Sequence, residues 1–528
     1  MDQRKSVIIP APEPARLPCR AGLFSFCLKP FVRTIPAWLL LVVGPLQAQE
    51  KTRIDILYSE TLQFDRRMGE NFKRLVGNVR LRHEEAIMFC DSAHLYDRDN
   101  EVRAFGNIHV NQGDTLQLYG DKLTYRGDSR VAQVRDNVVL RDRESVLKTD
   151  HLDFNLETSI GYYFNGGRLE NEENVLTSKQ GYYYAHDEIF YYRDSVVMVN
   201  PDYTIHCDTL KYDTRYATAY FLSPTIIRGE DLYIYCENGW YNLELELSQF
   251  SQNAFISTSE QTIRGDSLFY DRGNGFGKAI GNIEINDTTE NIILRGHYAE
   301  YFEEPESSLV TDSALFIQFS ETDTLYLHAD TLTSETDSLE NRLLRAFYNI
   351  RMYRTDFQAV CDSLAYSFSD SVIRMYHQPI IWSDENQLTG DSIQIKTRNR
   401  KLDRMELFRS SFIISQEDSI RFNQIKGKDM TGFFREGQLY LIRVTGNGES
   451  IYYARDETGM IGVNKAVCSN IEIWVEEGKV RKIRFLNSPE GTFTPPFRVR
   501  PEEMILKGFR WAGKLRPVDR NDLFRRNR

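Results

Sequence analysis

The chain is poor in proline and shows no sustained helical periodicity. Its 528 residues include only 16 Pro, against 29 Tyr and 31 Phe. No apolar pattern at i, i+3 and i+4 persists for a dozen residues, so amphipathic helices are not expected. Abundant aromatic residues exclude a disordered low-complexity chain and favour β-structure. At this length the chain can form several domains or one long repeat array.

Positive charge is also scarce, except near the C-terminal end. Without residues 1–48 the chain has 59 Lys or Arg against 74 Asp or Glu. Such an acidic chain is a poor general binder of nucleic acid, so no nucleic-acid partner is expected. Residues 481–528 differ, with 13 Lys or Arg against five Asp or Glu. This segment is either a solvated tail or a docking segment for an acidic partner or lipid head groups.

Long apolar runs are missing as well. The apolar stretch at residues 37–46, "AWLLLVVGPL", follows Lys29 and Arg33 and precedes "QAQ". It is about half of the roughly 20 residues that a membrane-spanning helix needs. The pattern is typical of a secretory signal peptide over residues 1–48, cleaved after Ala48. We therefore expect the protein to be exported.

The usual motifs of catalysis, metal binding and phosphate binding are absent from the sequence. The nine His residues show no pair at metal-ligand spacing. There is no Gly-rich phosphate loop and no Ser nucleophile elbow. We expect no catalytic residue, no metal and no cofactor, and we predict that the protein is not an enzyme. A β-helix polysaccharide lyase or hydrolase is the enzyme alternative, although no repeat is chemically different from the others.

What the sequence does contain is a recurring nine-residue phrase. It reads "LYGDKLTYR" at 118–126, "IHCDTLKYD" at 205–213 and "IRGDSLFYD" at 263–271. Aligned on the central acidic position, it recurs about fourteen times. From Asp121 to Asp266 the step is 29 residues five times in succession. Such repetition predicts a stack of similar units, each contacting its neighbours.

The apolar alternation slips inside this phrase. Ile205 and Cys207 share one face of a strand, and so do Leu210 and Tyr212, but Cys207 and Leu210 are three residues apart. If both pairs are buried, the strand must bulge or turn a corner at residues 208–209.

A second phrase lies between copies of the first, as in "AFGNIHV" at 104–110 and "AIGNIEI" at 279–285. It divides the repeat into two nearly equal halves, which predicts two strands per unit. A similar slip is expected between Ile280 and Ile283, because Gly281 and Asn282 tolerate the positive φ that a corner needs.

The residue before the acidic position is small. All five cysteines that follow the leader occupy this slot, and they are Cys90, Cys207, Cys236, Cys361 and Cys468. If each repeat is an antiparallel strand pair, equivalent slots lie about 9.6 Å apart, too far for a disulfide. We expect free thiols. The acidic residue itself gives way to Lys or His in some copies, so it is interpreted as a corner residue and not as a metal ligand.

Apolar positions on the inner side of the bend are the candidate site residues. Two interpretations stay open for them, a packed core and a groove for an acyl chain. The candidates are Leu123, Tyr125, Phe154, Ile205, Leu210, Tyr212, Leu268, Tyr270, Ile280 and Ile283.

The two phrases together resemble the OstA/LptA-like family, the organic solvent tolerance and lipopolysaccharide-transport periplasmic proteins. The first phrase appears as "GDKLTY", "GDSLFY" and "CDTLKY", and the second as "VGNVRL", "FGNIHV" and "IGNIEI". The resemblance covers roughly residues 54–485. It implies an all-β fold, a repeat-built bent antiparallel β-jellyroll called a β-taco, here of about fourteen 29-residue two-strand units. It also implies a periplasmic protein whose apolar interior carries the acyl chains of lipopolysaccharide or lipid A.

The resemblance further implies partners in outer-membrane biogenesis. These are inner- and outer-membrane lipopolysaccharide-transport proteins with similar β-taco domains. Open strand edges favour end-to-end self-association or pairing with such partners. Association with the outer membrane stays open, and the alternative function is a structural or adhesive cell-surface β-solenoid without a lipid ligand.

The expected organisation has four parts. Residues 1–48 are the signal peptide, 49–302 the regular repeats, 303–485 the irregular repeats with acidic inserts, and 486–528 a basic tail.

Overall fold

The structure of the protein is a computed structural model. It describes residues 53–64, 72–112, 116–142, 145–171, 174–320, 323–339, 341–398, 401–436, 438–457, 459–476, 479–500, 502 and 504–525. The predicted signal peptide lies outside these residues. The described part is nearly all antiparallel β-strand and contains no α-helix, which confirms the all-β prediction. None of its helices has the length and apolar character required to cross a membrane.

The chain forms two compact units. The first contains residues 53–230 and 238–246, and the second contains residues 231–237 and 247–525. The predicted division between regular and irregular repeats at residue 302 concerns spacing, and it stays a prediction, as does the number of repeats.

The strands of the first unit are β1 (Asp55–Tyr58), β2 (Thr61–Phe64), β3 (Phe72–His83), β4 (Ala86–Tyr96), β5 (Glu101–Gln112), β6 (Leu116–Arg126), β7 (Val131–Asp142), β8 (Ser145–Asn155), β9 (Ile160–Tyr163), β10 (Gly167–Glu170), β11 (Val175–Ser178), β12 (Gln180–Tyr184), β13 (Ile189–Val199), β14 (Tyr203–Asp213), β15 (Thr218–Phe221), β16 (Thr225–Gly229) and β18 (Asn238–Asn242).

The strands of the second unit are β17 (Tyr233–Cys236), β19 (Leu247–Ser257), β20 (Gln261–Asp271), β21 (Phe276–Asp287), β22 (Ile292–Phe302), β23 (Ser307–Phe319), β24 (Thr324–Thr336), β25 (Arg342–Tyr353), β26 (Gln358–Ser367), β27 (Val372–Tyr376), β28 (Ile380–Ser383), β29 (Asn386–Thr389), β30 (Ser392–Arg398), β31 (Lys401–Phe408), β32 (Ser411–Gln416), β33 (Phe422–Gly427), β34 (Asp429–Arg435), β35 (Gln438–Asp456), β36 (Gly459–Glu476), β37 (Lys479–Leu486) and β38 (Glu490–Thr494). Among the described residues, short 3-10 helices follow at Pro496–Arg498, Gly513–Leu515 and Asp522–Phe524.

Neighbouring strands pair antiparallel and turn a corner together. On β21 the corner is formed by Gly281 and Asn282, whose φ angles are +72° and +46°. Both residues lie opposite the single residue 297 of β22, so β21 carries one extra residue there. This is a β-bulge, which bends a strand. The prediction that Gly and Asn would provide positive φ at this corner is confirmed.

The slip in alternation occurs on only one of the two strands. On β20, Gly265 and Leu268 are both buried although they are three residues apart. On β21 the buried residues are Ala279 and Ile283, four apart, so the alternation continues unbroken through the bulge. The slip predicted between Ile280 and Ile283 is therefore wrong. Ile280 is 46% exposed, because it points away from the side that Ala279 and Ile283 share.

The corner in the phrase "IHCDTLKYD" follows the same rule. The extra residue lies on the neighbouring strand β13, at Asp194 and Ser195, which have φ angles of +63° and +57°. Residues 208 and 209 of β14 have no positive φ. The strand therefore bends at the predicted place, but the inserted residue belongs to its partner strand.

A polar pair holds each of several corners. The Asn282 side chain donates to the Asp266 carboxylate at 3.0 Å, and Asn137 donates to Asp121 at 2.6 Å. A Cβ atom on Gly281 would lie 2.2 Å from the nearer oxygen of Asp266, so glycine is required at that close approach. The interpretation of the repeated Asp as a corner residue agrees with this geometry.

Residues 496–525, here called the strap, belong to the second unit, and their described part packs on the strands of that unit. Met504 and Leu506 belong to one buried cluster with Phe412 and Ile451, and Leu523 is fully buried against Ile317. The expectation of a solvated tail is therefore wrong for these residues. Alternating apolar side chains supply enough burial to dock a segment that charge alone would leave in solvent. The strands themselves continue to Thr494, beyond the predicted end of the repeats at residue 485.

Candidate functional site

The first unit contains an apolar cavity of about 60 Å³. Its lining comes from the inner faces of both halves of the bent strands, on either side of the corners. The lining residues are Ile54, Leu81, Arg82, His83, Ala86, Met88, Val110, Leu118, Leu123, Tyr125, Ala132, Leu140, Leu152, Phe154 and Leu156. Twelve of these fifteen side chains are apolar, and the other three are Arg82, His83 and Tyr125. The cavity therefore offers an apolar environment with few polar partners.

Two buried polar side chains close this cavity at the ends of the strands. His83 is the last residue of β3, and Tyr125 is the penultimate residue of β6. The two strand ends belong to opposite halves of the bend, so their contact spans the opening between the halves, here called the mouth. The Tyr125 hydroxyl and His83 Nδ1 are hydrogen bonded at 2.8 Å. Burial raises the pKa of Tyr125 to about 12, so the hydroxyl keeps its proton at neutral pH.

Two further contacts cross the same mouth. Arg130 donates to Glu84 at 2.7 Å, and the backbone N–H of Ile54 donates to the side-chain oxygen of Asn100 at 3.3 Å. The Arg130 and Glu84 side chains are 32% and 41% exposed, so water screens their attraction. The mouth is therefore held by weak, separable contacts and not by continuous strand pairing.

The second unit also contains a cavity, of about 20 Å³, lined mainly by apolar side chains, among them Met405, Ile413 and Met430. Met405 is fully buried. Of these two cavities, the one in the first unit is the larger.

Three predicted site residues line the cavity of the first unit. Leu123 and Tyr125 are 2% and 6% exposed, and Phe154 is half-buried. In the same unit Ile205 and Leu210 are buried and Tyr212 is half-buried, but none of the three lines this cavity.

The other four predicted residues lie in the second unit. Leu268 and Ile283 are buried, Tyr270 is half-buried with its hydroxyl donating to Glu303 at 2.8 Å, and Ile280 faces outward. Placing Ile280 among the inner residues was wrong, for the reason given above.

Some residues that line the cavity were not predicted from the sequence. They lie on the half of a strand that precedes the acidic residue of the repeated phrase. Met88 and Leu118 occupy the position two residues before the small slot, as Ile205 does in its own copy of the phrase. That position could have identified them. Nothing in the sequence signals that His83 and Tyr125 meet, because they lie 42 residues apart in chemically ordinary positions.

The structure confirms the prediction of free thiols at the small position before the acidic residue. The five cysteines from Cys90 to Cys468 are free thiols. Cys90 is 5% exposed, and burial, followed by the neighbouring Asp91 charge, raises its pKa to about 12. A thiol held neutral in this way is unreactive and serves as a small apolar residue.

In the comparison with known proteins, a family model matches residues of the first unit. The model of the family described as "OstA-like protein" matches residues 51–208. This stretch of the chain resembles the OstA-like proteins. It contains every residue that lines the larger cavity. The comparison with curated proteins gave no match.

One of the matches among solved structures is to a periplasmic protein. It is the crystal structure of LptH, described as the LptA homologous periplasmic component of the conserved lipopolysaccharide transport device from Pseudomonas aeruginosa. The sequences are 16% identical over 24% of this chain and 76% of that chain, with a TM-score of 0.13.

Proposed function

We propose that the protein binds acyl chains of lipopolysaccharide or lipid A in the apolar cavity of its first unit and shields them in the periplasm during outer-membrane biogenesis. The observation that carries the proposal is the apolar cavity inside the OstA-like stretch. Transfer of each methylene from water into such a site contributes about 0.8 kcal/mol. A chain of about a dozen methylenes would gain on the order of 10 kcal/mol before the costs of ordering it.

Binding of a whole acyl chain requires the mouth to open. The cavity of about 60 Å³ is well below the roughly 300–1,000 Å³ of ordinary ligand pockets. The two strand halves must therefore separate, and the polar contacts that resist this include the His83–Tyr125 and Glu84–Arg130 pairs and the Ile54–Asn100 bond. The Glu84–Arg130 pair is solvent-exposed and the Ile54–Asn100 bond is long, at 3.3 Å, so the buried His83–Tyr125 bond at 2.8 Å is the principal polar closure.

The proposed partners are lipopolysaccharide and inner- and outer-membrane transport proteins that carry similar β-taco domains. The N-terminal edge of the first unit supports such pairing. Among the described residues, β1 and β2 pair only with β3, and they carry the exposed side chains of Leu57, Leu62 and Phe64. An unpaired strand edge with apolar side chains can accept a strand from another chain, either a partner domain or a second copy.

The proposed role is non-enzymatic. Shielding needs only an apolar interior and a mouth that can open, and the apolar cavity of the first unit supports this role. Within the described residues no group of three or more His, Cys, Asp or Glu is placed to hold a metal ion.

Photo-crosslinking tests the proposal. Benzoylphenylalanine replaces Tyr125 or Phe154, which line the cavity, in cells that make lipopolysaccharide. Irradiation is expected to join both variants to lipopolysaccharide, detected as a mass shift that lipopolysaccharide antibodies recognise. Tyr119 is the matched control, because it is an aromatic residue of the same strand β6 that does not line the cavity.

The control separates binding from chance proximity. Crosslinking from residues 125 and 154 but not from 119 supports the proposal. Equal crosslinking from all three, or none from any of them while the purified protein carries no lipid by mass spectrometry, would contradict it and leave a structural role.

A further inference from the structure

The strap carries a row of cations on its solvent side. Residues 496–525 contain eight Lys or Arg and four Asp or Glu, in a protein whose formal net charge is −11. Lys507, Arg510, Lys514 and Arg520 are exposed, and none of them forms an ion pair with the described residues. Positive charge is therefore concentrated in one segment of an acidic protein.

Buried contacts fix the strap on the second unit. The Gln424 side chain donates to the Met504 carbonyl oxygen and accepts from the Leu506 N–H, both at 2.9 Å. The Gln387 side chain, fully buried, bonds the backbone of residues 510 and 512 in the same way, each at 2.7 Å. The side-chain amides of these two glutamines form the hydrogen bonds with the strap backbone that a neighbouring strand would otherwise form. The strap is therefore a defined surface and not a loose basic tail.

Apolar side chains stand among these cations. Phe497 is 82% exposed and Val518 74%, while Ile505 and Phe524 are 52% and 46% exposed. The Arg498 guanidinium lies over the Phe497 ring at 5.6 Å from its centroid. Exposure of four large apolar side chains within one short segment is unfavourable in water unless another surface covers them.

We propose that the solvent side of the strap is a docking surface for a bilayer that contains anionic lipid. Cations attract the negative head groups, and each one near such a surface contributes binding energy, while the interleaved apolar side chains enter the boundary between head groups and acyl chains. The acidic remainder of the chain is repelled by the same surface. The protein therefore binds the membrane in one orientation, through the second unit, and this inference does not depend on the proposed function of the first unit.

The spacing of the apolar residues favours a bilayer over an acidic protein as the occupant. Protein interfaces concentrate their binding energy in a central cluster of large residues. Phe497, Ile505, Val518 and Phe524 are instead separated along the strap, with cations between them. A bilayer can accept each apolar side chain separately, because its surface is fluid and needs no complementary pocket.

Vesicle cosedimentation tests the proposal with the protein as purified after processing by its host cell. Vesicles contain phosphatidylethanolamine with about one third phosphatidylglycerol, or phosphatidylcholine alone. The expected result is binding to the anionic vesicles at least tenfold tighter than to the neutral ones, weakening as salt is added. The variant with Lys507→Gln, Arg510→Gln, Lys514→Gln and Arg520→Gln is expected to lose that preference.

A matched control variant removes four cations that lie outside the strap and leaves the strap cations in place. Arg74→Gln, Arg193→Gln, Lys396→Gln and Arg398→Gln remove the same charge from exposed positions elsewhere in the chain. This variant is expected to bind anionic vesicles within about twofold of the unmodified protein. Equal losses in the two variants would show a net-charge effect and overturn the proposal.

A fluorescent label reports where the protein meets the bilayer. Val518→Cys and Ile420→Cys place a thiol at positions of the second unit that are 74% and 63% exposed, and each is labelled with a polarity-sensitive dye. Anionic vesicles are expected to shift the emission of the dye at residue 518 to shorter wavelength and leave that at residue 420 unchanged. No shift at 518, or no binding of the unmodified protein to any vesicle, overturns the proposal.

Discussion

The side chains of Asn282 and Asp266 meet across the corner of two neighbouring strands. Asn282 donates to both carboxylate oxygens, at 3.0 and 3.2 Å. The same relationship joins Asn107 to Asp91 at 2.8 Å in the first unit. The Asp that dominates the repeated phrase therefore stabilises the bulge of the strand beside it.

Gly281→Ala should destabilise the second unit. The residue has a φ of +72°, and the new Cβ would lie 2.2 Å from an oxygen of Asp266, so backbone strain and loss of the corner bond act together. We expect a loss of about 1–3 kcal/mol in the free energy of unfolding, measured by urea denaturation. Gly273→Ala is the control, because its Cβ would meet only an Asp271 oxygen at 3.6 Å. Equal effects of the two substitutions would contradict the corner role.

Tyr125→Phe should loosen the mouth of the first unit. The substitution removes the hydroxyl bonded to His83 and keeps the apolar ring in the cavity lining. A loss of about 0.5–1.5 kcal/mol in unfolding free energy is expected, together with faster uptake of a fluorescent fatty-acid probe. Tyr119→Phe on the same strand is the control. Slower uptake, or no change in either measurement, would count against the mouth as the route of entry.

Cys90 should make the protein less stable in alkali. Burial, with a smaller contribution from the neighbouring Asp91 charge, raises the pKa of this thiol from its ordinary value of 9.0 to about 12. Between pH 9 and 12 the unfolded chain loses the thiol proton while the folded chain keeps it, so unfolding becomes easier as the pH rises. The free energy of unfolding then falls by at most about 1.4 kcal/mol per pH unit for this group.

The substitution Cys90→Ala isolates this effect. Its unfolding free energy, measured by urea titration at pH 8, 9, 10 and 11, should fall less steeply above pH 9 than that of the unmodified protein. Thr149→Ala changes the same slot on β8 without removing an ionisable group, and should leave the slope unaltered. Parallel curves for the unmodified protein and Cys90→Ala would show that the thiol is not buried in the folded state.

Gln387→Leu should release part of the strap. The substitution leaves the backbone of residues 510 and 512 without the amide that bonds them at 2.7 Å. Trypsin is expected to cut after Lys507, Arg510 or Lys514 several times faster than in the unmodified protein, as followed by mass spectrometry. Gln394→Leu on β30 is the control, since Gln394 makes no hydrogen bond to the described residues of the strap. Unchanged cleavage in Gln387→Leu would mean that the apolar anchors alone hold the strap.

Much of the local geometry follows from the repeated sequence. The slip from Cys207 to Leu210 correctly predicted a bend, and Gly281 with Asn282 correctly predicted positive φ. These features depend on residues close together in the chain and recur in many copies, so local sterics specify them. Ile280 was misplaced because the sequence does not reveal which of two paired strands holds the extra residue.

The closure of the mouth and the docking of the strap could not be predicted in this way. Tyr125 meets His83 across 42 residues, and Gln387 bonds the backbone of Arg510 across 123. Neither contact has a local signature, since each partner is an ordinary strand or tail residue until the sheet brings it near the other.

By itself the sequence determined the all-β class, the bent strands and the small cysteine slot, because period-two burial and left-handed corner residues recur in many of the repeats. The tertiary structure decided which inner residues share a cavity, that Ile280 faces outward, and that the basic segment is bound to the sheet. Those outcomes depend on the register between strands and on contacts between distant residues, and register is a property of the paired sheet and not of any one strand.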